Sequence, residues 1–236
     1  MKLNIKFIFL LLGIIFLAFI IRIKDVSNNP AGFFCDEASG GVDALSILKT
    51  GRDSHGEFLP IFFRGLNNAA GGPFFTYLNI PFVSIFGLTE KAIRLPAIII
   101  GTLEIIILFL LLKEFIPQSF ALLGALLLSI SPWHLHTTRN NIGDIYLWTF
   151  FTLIAYLFLT KAFKENKTKF FIFSAFFFGL AMYAYISSRL VTPLLFGLII
   201  FLILIKKQIK QAVLMLIIYL IVCIPFIYYN LTETGS

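Results

Sequence analysis

Of the 236 residues, 59% are hydrophobic and only 13% are charged, with a mean hydropathy of +0.94 and a formal net charge of +7. A soluble domain carries about 25% charged residues, so the composition excludes a soluble globular fold and indicates an integral, multi-pass membrane protein. In a soluble chain the basic balance would point to nucleic acid; here the lysines are placed as a topological signal, and no nucleic-acid partner is expected.

Met1–Lys6 is a short basic start. The apolar run Phe7–Ile21 is followed by Arg22-Ile23-Lys24-Asp25 rather than by the small residues of a cleavage site, so it reads as an uncleaved first span. Next comes Gly32-Phe33-Phe34-Cys35-Asp36-Glu37-Ala38, which sets two adjacent carboxylates just beyond that span, in a polar loop from Lys24 to Gly72. Within the loop, Ala38–Lys49 has Val42, Leu45 and Leu48 at helical spacing, Asp43 and Lys49 off that face, and Gly51 as a stop. This predicts a short amphipathic helix on the membrane surface.

Pro73–Leu88 is apolar but shorter than the roughly 20 residues a span needs. Leu95–Leu112, Phe120–Trp133, Ile145–Thr160, Phe170–Ile186, Val191–Ile205 and Ala212–Tyr229 read as further spans. Charge decides whether Pro73–Leu88 crosses. If it does not, seven spans result, and the segments on the N-terminal side hold ten lysines against Glu114 and Glu165, while the opposite segments balance. If it does, the lysine clusters at 161–169 and 206–210 fall opposite Lys2 and Lys6, against the positive-inside rule. Pro73–Leu88 is therefore expected to be an interfacial or re-entrant helix on the outer side. The expected fold class is all-α: a polytopic membrane helix bundle of about seven transmembrane helices, with interfacial helices in a first extracytoplasmic loop over 24–94, forming one domain over 1–236.

This topology places Arg22, Arg52, Arg64, Arg94, Arg139 and Arg189 outside or at the outer boundary. Four outer pieces carry candidate chemistry. They are Asp36-Glu37; the second loop Ser131–Asp144, with His134, His136, Arg139 and Asp144; Tyr183–Arg189, with Tyr185; and Tyr77 in the interfacial helix. His134-x-His136 has the form of a metal pair, although two surface histidines are the favoured reading. Glu104 falls inside a span, where an acid needs a partner; an interhelical hydrogen bond is expected. Cys35 and Cys223 lie in settings too different for a disulfide. No P-loop, dinucleotide fingerprint or zinc-spaced Cys/His set occurs.

Acids and arginines gathered at one membrane face suit glycosyl transfer from a lipid-linked donor. A base removes the acceptor hydroxyl proton as that oxygen attacks the anomeric carbon. Cations hold the phosphate as it departs. The Asp-Glu pair after the first span, the surface helix, the Pro-Phe/Tyr interfacial segment, Arg94-Leu95-Pro96-Ala97 and the Pro132-Trp133-His134 to Asp144 loop together resemble one family group. It is the protein O-mannosyltransferase and aminoarabinose (lipid A) transferase group of GT-C glycosyltransferases, matched in its N-terminal part.

The resemblance implies a polyprenyl-phosphate sugar donor, a lipid, glycan or protein acceptor, and an active site on the extracytoplasmic face of a prokaryotic cell membrane. By position it implies Asp36 as general base, Glu37 as its companion, Asp144 as a second-loop acid and Arg139 near phosphate. Tyr185 and Arg189 are implied, as weaker matches, to bind substrate; Tyr77 and His134 are expected to do so from their place on the outer pieces, which together could line one cavity. No cofactor is required, and a divalent metal is left open. Gly71-Gly72-Pro73 departs from the basic residue and two prolines common in the group, and relatives have more spans, so the chain reads as incomplete at its C-terminus. The alternatives are a transporter or flippase for a lipid-linked sugar, and a non-catalytic membrane subunit or inactive fragment.

Overall fold

The computed structural model describes residues 5–64, 70–141 and 144–233. Lys2 of the basic start, together with Ile142 and Gly143 of the second loop, lies outside the described residues. The order of elements is α1 (Ile5–Ile23), α2 (Cys35–Thr50), β1 (Phe63–Arg64), β2 (Ala70–Gly71), α3 (Pro73–Phe86), α4 (Glu90–Leu112), α5 (Gln118–Ile130), α6 (Pro132–Arg139), α7 (Ile145–Glu165), α8 (Thr168–Ala181), α9 (Ser188–Ile205) and α10 (Ile209–Glu233). The two strands form a small antiparallel ribbon that pairs Phe63 with Gly71.

Among the described residues, five helices are long and apolar enough to cross a membrane: α1, α4, α7, α9 and α10. The expectation of seven spans adds α5 and α8. Helix α5 meets the test only jointly with α6, from which it is bent by 55°, and α8 is a shorter apolar helix of 14 residues. Helices of 13 or 14 residues rise only about 20 Å, less than a ~30 Å hydrocarbon core. Helix α3 has the extent expected for the interfacial segment, with Pro73 in its first turn and Gly87 at its C-terminus.

The chain divides after Phe150 into two compact units, with α7 starting in the first and continuing in the second. In the first unit α4 is the central strut, packing against α1, α3, α5 and α6. Its sequence permits this because small residues let neighbours approach. Ala92, Ala97 and Gly101 lie on its inner side, and the Thr138 side chain of α6 occupies the space a Cβ at Gly101 would need. Ala92 and Ile93 of α4 also form a small core with Ala44 of α2 and Val83 of α3.

The apolar stripe expected for a surface helix is distinct from the face that α2 turns inward. Val42 and Leu48 are exposed, whereas Glu37, Gly40, Gly41, Ala44 and Ile47 face inward together with Asp43. The reason is proximity. The Phe75 ring fills the place of a Cβ at Gly40, and Leu88 and Ile93 come within 2.8 and 2.9 Å of one at Gly41, so only small residues fit.

In the second unit α8 packs on α10. Gly179 admits Val222, the Tyr183 hydroxyl donates to the Val222 carbonyl at 2.6 Å, and Phe196 stacks on Tyr219 at 4.2 Å between ring centroids.

Candidate active site

Asp36 and Glu37 occupy the first turn of α2, where exposed amide N–H groups favour carboxylates. Consecutive helical residues point about 100° apart, so the two acids cannot share an environment. Glu37 is fully buried. Its Oε2 accepts the Phe34 N–H at 3.0 Å, the reach-back typical of a glutamate three residues into a helix. Both its oxygens also accept from Arg94 of α4, Nε to Oε1 and Nη2 to Oε2, each at 2.9 Å. Arg94, equally buried, donates further to the carbonyls of Val26, Pro30 and Gly32. All five guanidinium N–H groups thereby find acceptors. With Glu37 held inward, Asp36 is the acid left exposed, beside the exposed Cys35.

Asp144 closes the second loop immediately before α7, with a positive φ of 56° and its carbonyl accepting from the Leu147 and Trp148 amides. Its carboxyl is buried, and Oδ1 has no hydrogen-bond partner. Burial, and after it the negative charge of Asp36, hold the Asp144 carboxyl well above the usual carboxylate range. The structure thus makes Asp36 and Asp144 electrostatic neighbours, one exposed and one buried. Asn141 fixes the loop that presents Asp144: its side-chain amide donates to the Ile93 carbonyl, and its Oδ1 accepts from the Tyr146 hydroxyl at 2.7 Å.

A second buried cluster lies ten residues beyond Arg94 along α4, at Glu104. Arg22 Nη2 meets His134 Nδ1 at 2.6 Å, and His134 Nε2 meets Glu104 Oε2 at 2.6 Å. A guanidinium only donates, so Nδ1 is the acceptor, and the ring proton sits on Nε2, donating to Glu104. Arg22 also donates to Thr138 Oγ1 and to the carbonyls of Ala18 and Ser129. Glu104 is therefore joined between helices, from α4 to α6. The reading of His134 as a surface histidine is corrected: the bend after α5 turns α6 so that His134 is only 7% exposed. Its two ring nitrogens are engaged within the protein, which leaves neither for substrate.

The other candidates are placed as follows. Arg139 donates from Nη1 to the Ile21 carbonyl at 2.6 Å and from Nη2 to those of Lys24 and Asn29 at 2.9 Å, tying α6 to the segment after α1. The Tyr77 hydroxyl donates to the Pro60 carbonyl. Tyr185 and Arg189 belong to the second unit, where the Tyr185 carbonyl accepts from Ser188 and Arg189 lies over the Phe226 ring at 5.2 Å. Within the first unit, Asp36 is exposed and acts electrostatically on the buried Asp144, while Glu37 is held apart by Arg94. The sequence placed Arg94 among the outer arginines and Asn141 in the second loop but gave neither a partner, and it did not single out Tyr146. A glutamate at the third position of a predicted helix and an arginine near the start of an apolar one were the only local signals of the Glu37–Arg94 pair. Among the described residues, neither Asp36 nor Asp144 belongs to a group of three acid, histidine or cysteine side chains spaced to hold a metal.

A family model described as dolichyl-phosphate-mannose-protein mannosyltransferase matches residues 70–229. The match spans Arg94, Glu104, His134, Arg139 and Asp144; Asp36 and Glu37 precede it. No curated protein and no solved structure matches the chain.

Proposed function

The chain belongs to the dolichyl-phosphate-mannose-protein mannosyltransferase family, membrane glycosyltransferases of the GT-C kind, and on that premise we propose that it transfers a sugar from a polyprenyl-phosphate donor to an extracytoplasmic acceptor, with Asp36 as general base. The observation that carries this reading is the separation of the acids. Arg94 withdraws Glu37 into the protein, Asp144 is buried and biased toward its neutral form, and of these three acids Asp36 is the one that presents an exposed carboxylate.

In the proposed step Asp36 takes the proton of the acceptor hydroxyl. The freed oxygen attacks the anomeric carbon, the bond from that carbon to the phosphate oxygen breaks, and polyprenyl phosphate leaves with the electron pair. Asp144 in its neutral form adds no second negative charge against the departing phosphate. Glu37, through Arg94, positions the first turn of α2.

The outer placement of this site rests on the lysine distribution. Arg139 is proposed as a loop tether rather than a phosphate ligand, since both its Nη groups are committed to carbonyls. Tyr77 is proposed to line the acceptor side. Tyr185 and Arg189 are retained as proposed donor-binding residues of the second unit. Incubating the protein in liposomes with polyprenyl-phosphate hexoses and pentoses, and following release of polyprenyl phosphate, tests the reading. Release dependent on an added acceptor supports it, and sugar flux without any glycosylated product contradicts it.

A further inference from the structure

A turn in the first loop lies against α2 away from the Glu37–Arg94 pair. It is closed by an isolated bridge between Arg52 and Phe58 and by the Asp53 amide donating to the Glu57 carbonyl at 3.0 Å. Ser46 of α2 donates to the Asp53 carbonyl, and Asp43 of α2 accepts at Oδ1 from both the amide and the hydroxyl of Ser54. These bonds hold the turn on the helix in one register.

They also create an unusual balance of charge. Asp43 and Asp53 are 2% and 3% exposed, and among the described residues neither pairs with a lysine, arginine or histidine in an ion pair. Asp53 Oδ1 accepts from the amides of His55 and Glu57. Its Oδ2 is buried and has no partner. A buried carboxylate oxygen left empty beside a second buried carboxylate is costly unless a cation neutralises both. His55 stands at the open side of the pair, exposed, and ligand atoms of Asp43, Asp53 and His55 all lie within 4.8 Å of one another.

We infer that Asp43, Asp53 and His55 form a divalent cation site that clamps the 52–58 turn onto α2, with zinc or manganese as the fitting class of ion. Two carboxylate oxygens with one imidazole nitrogen suit zinc, a borderline ion, and manganese, which takes carboxylates and tolerates an imidazole; calcium and magnesium favour all-oxygen shells. The exposed position of His55 leaves water to complete the coordination. Asp43 follows Asp36 by two turns of the same helix, about 10 Å along its axis. The ion would therefore act on the placement of α2 and not on the reacting atoms. The inference does not depend on the glycosyltransferase reading.

The test uses the purified protein in detergent, stripped with chelator and titrated with zinc, manganese, calcium or magnesium by calorimetry and thermal denaturation. The expected result is one equivalent of zinc or manganese bound, with a rise in melting temperature. His55→Ala should weaken that binding at least about tenfold while leaving the metal-free melting temperature unchanged, because the ring is exposed. Asp53→Asn should weaken it at least as much, and His136→Ala should leave it unchanged. Absence of stoichiometric binding, equal affinity in His55→Ala, or a preference for calcium or magnesium would overturn the assignment.

Discussion

Arg94 and Glu37, 57 positions apart, form a fully buried bidentate pair in which the arginine spends its remaining N–H groups on three carbonyls of the segment after α1. One side chain thus joins α4, the start of α2 and the chain between α1 and α2. Truncating one partner of a buried pair leaves an uncompensated charge and costs about 3–5 kcal/mol. Arg94→Ala is therefore expected to lower the melting temperature strongly. Arg94→Lys should rescue little, since an ammonium cannot reproduce the planar fork. The double variant Glu37→Gln/Arg94→Ala should lose less than the sum of its single variants, as expected for residues in direct contact. Thermal denaturation in detergent measures all four.

Asp144 gives a pH prediction. Its carboxyl is raised in the folded protein by burial and by Asp36, so the folded state binds more protons than the unfolded state above the ordinary aspartate range. Stability from this group is present at low pH and is lost as pH rises through the raised value. The protein should melt at a lower temperature in alkaline than in mildly acidic buffer. Asp144→Asn should remove part of that slope and be the more stable of the two at alkaline pH.

The tautomer of His134 gives a third. Its Nε2 proton goes to Glu104 and its Nδ1 accepts from Arg22. Glu104→Gln preserves an acceptor for that proton, whereas Glu104→Leu leaves a buried donor unsatisfied. An orphaned buried group costs roughly 1–3 kcal/mol, so the leucine variant should be the less stable by about that amount in denaturant titrations.

Topology can be read from the cysteines. Cys35 is exposed one residue before Asp36, and Cys223 is buried. A membrane-impermeant maleimide should label Cys35 in right-side-out vesicles and fail to do so in inverted ones. The reverse pattern would place the α2 carboxylates on the inner face.

The membrane class, the extent of α3 and the helix beside Asp36 were legible because hydropathy and turn residues are strong signals in a chain this apolar. The inward face of α2 was not. Periodicity marked Val42 and Leu48, which are exposed, as the apolar stripe of a surface helix; it carried no sign that the close approach of Phe75 and Ile93 seats Gly40 and Gly41 inward. Similarly, Asp36 and Glu37 were recognisable as a pair, yet their opposite fates depend on Arg94, which is distant in sequence and meets Glu37 only once α4 packs on α2. His134 was misplaced for the same reason, since the 55° bend that buries it is a tertiary feature.

The central claim is that Asp36 removes the acceptor proton. The direct measurement is transfer of sugar from a polyprenyl-phosphate donor by Asp36→Asn protein, compared with native protein at equal membrane insertion and with donor binding measured alongside. Transfer is expected to fall by at least about a hundredfold, within the range a general base supplies, while donor binding and melting temperature stay close to native. Transfer at the native rate by Asp36→Asn would contradict it.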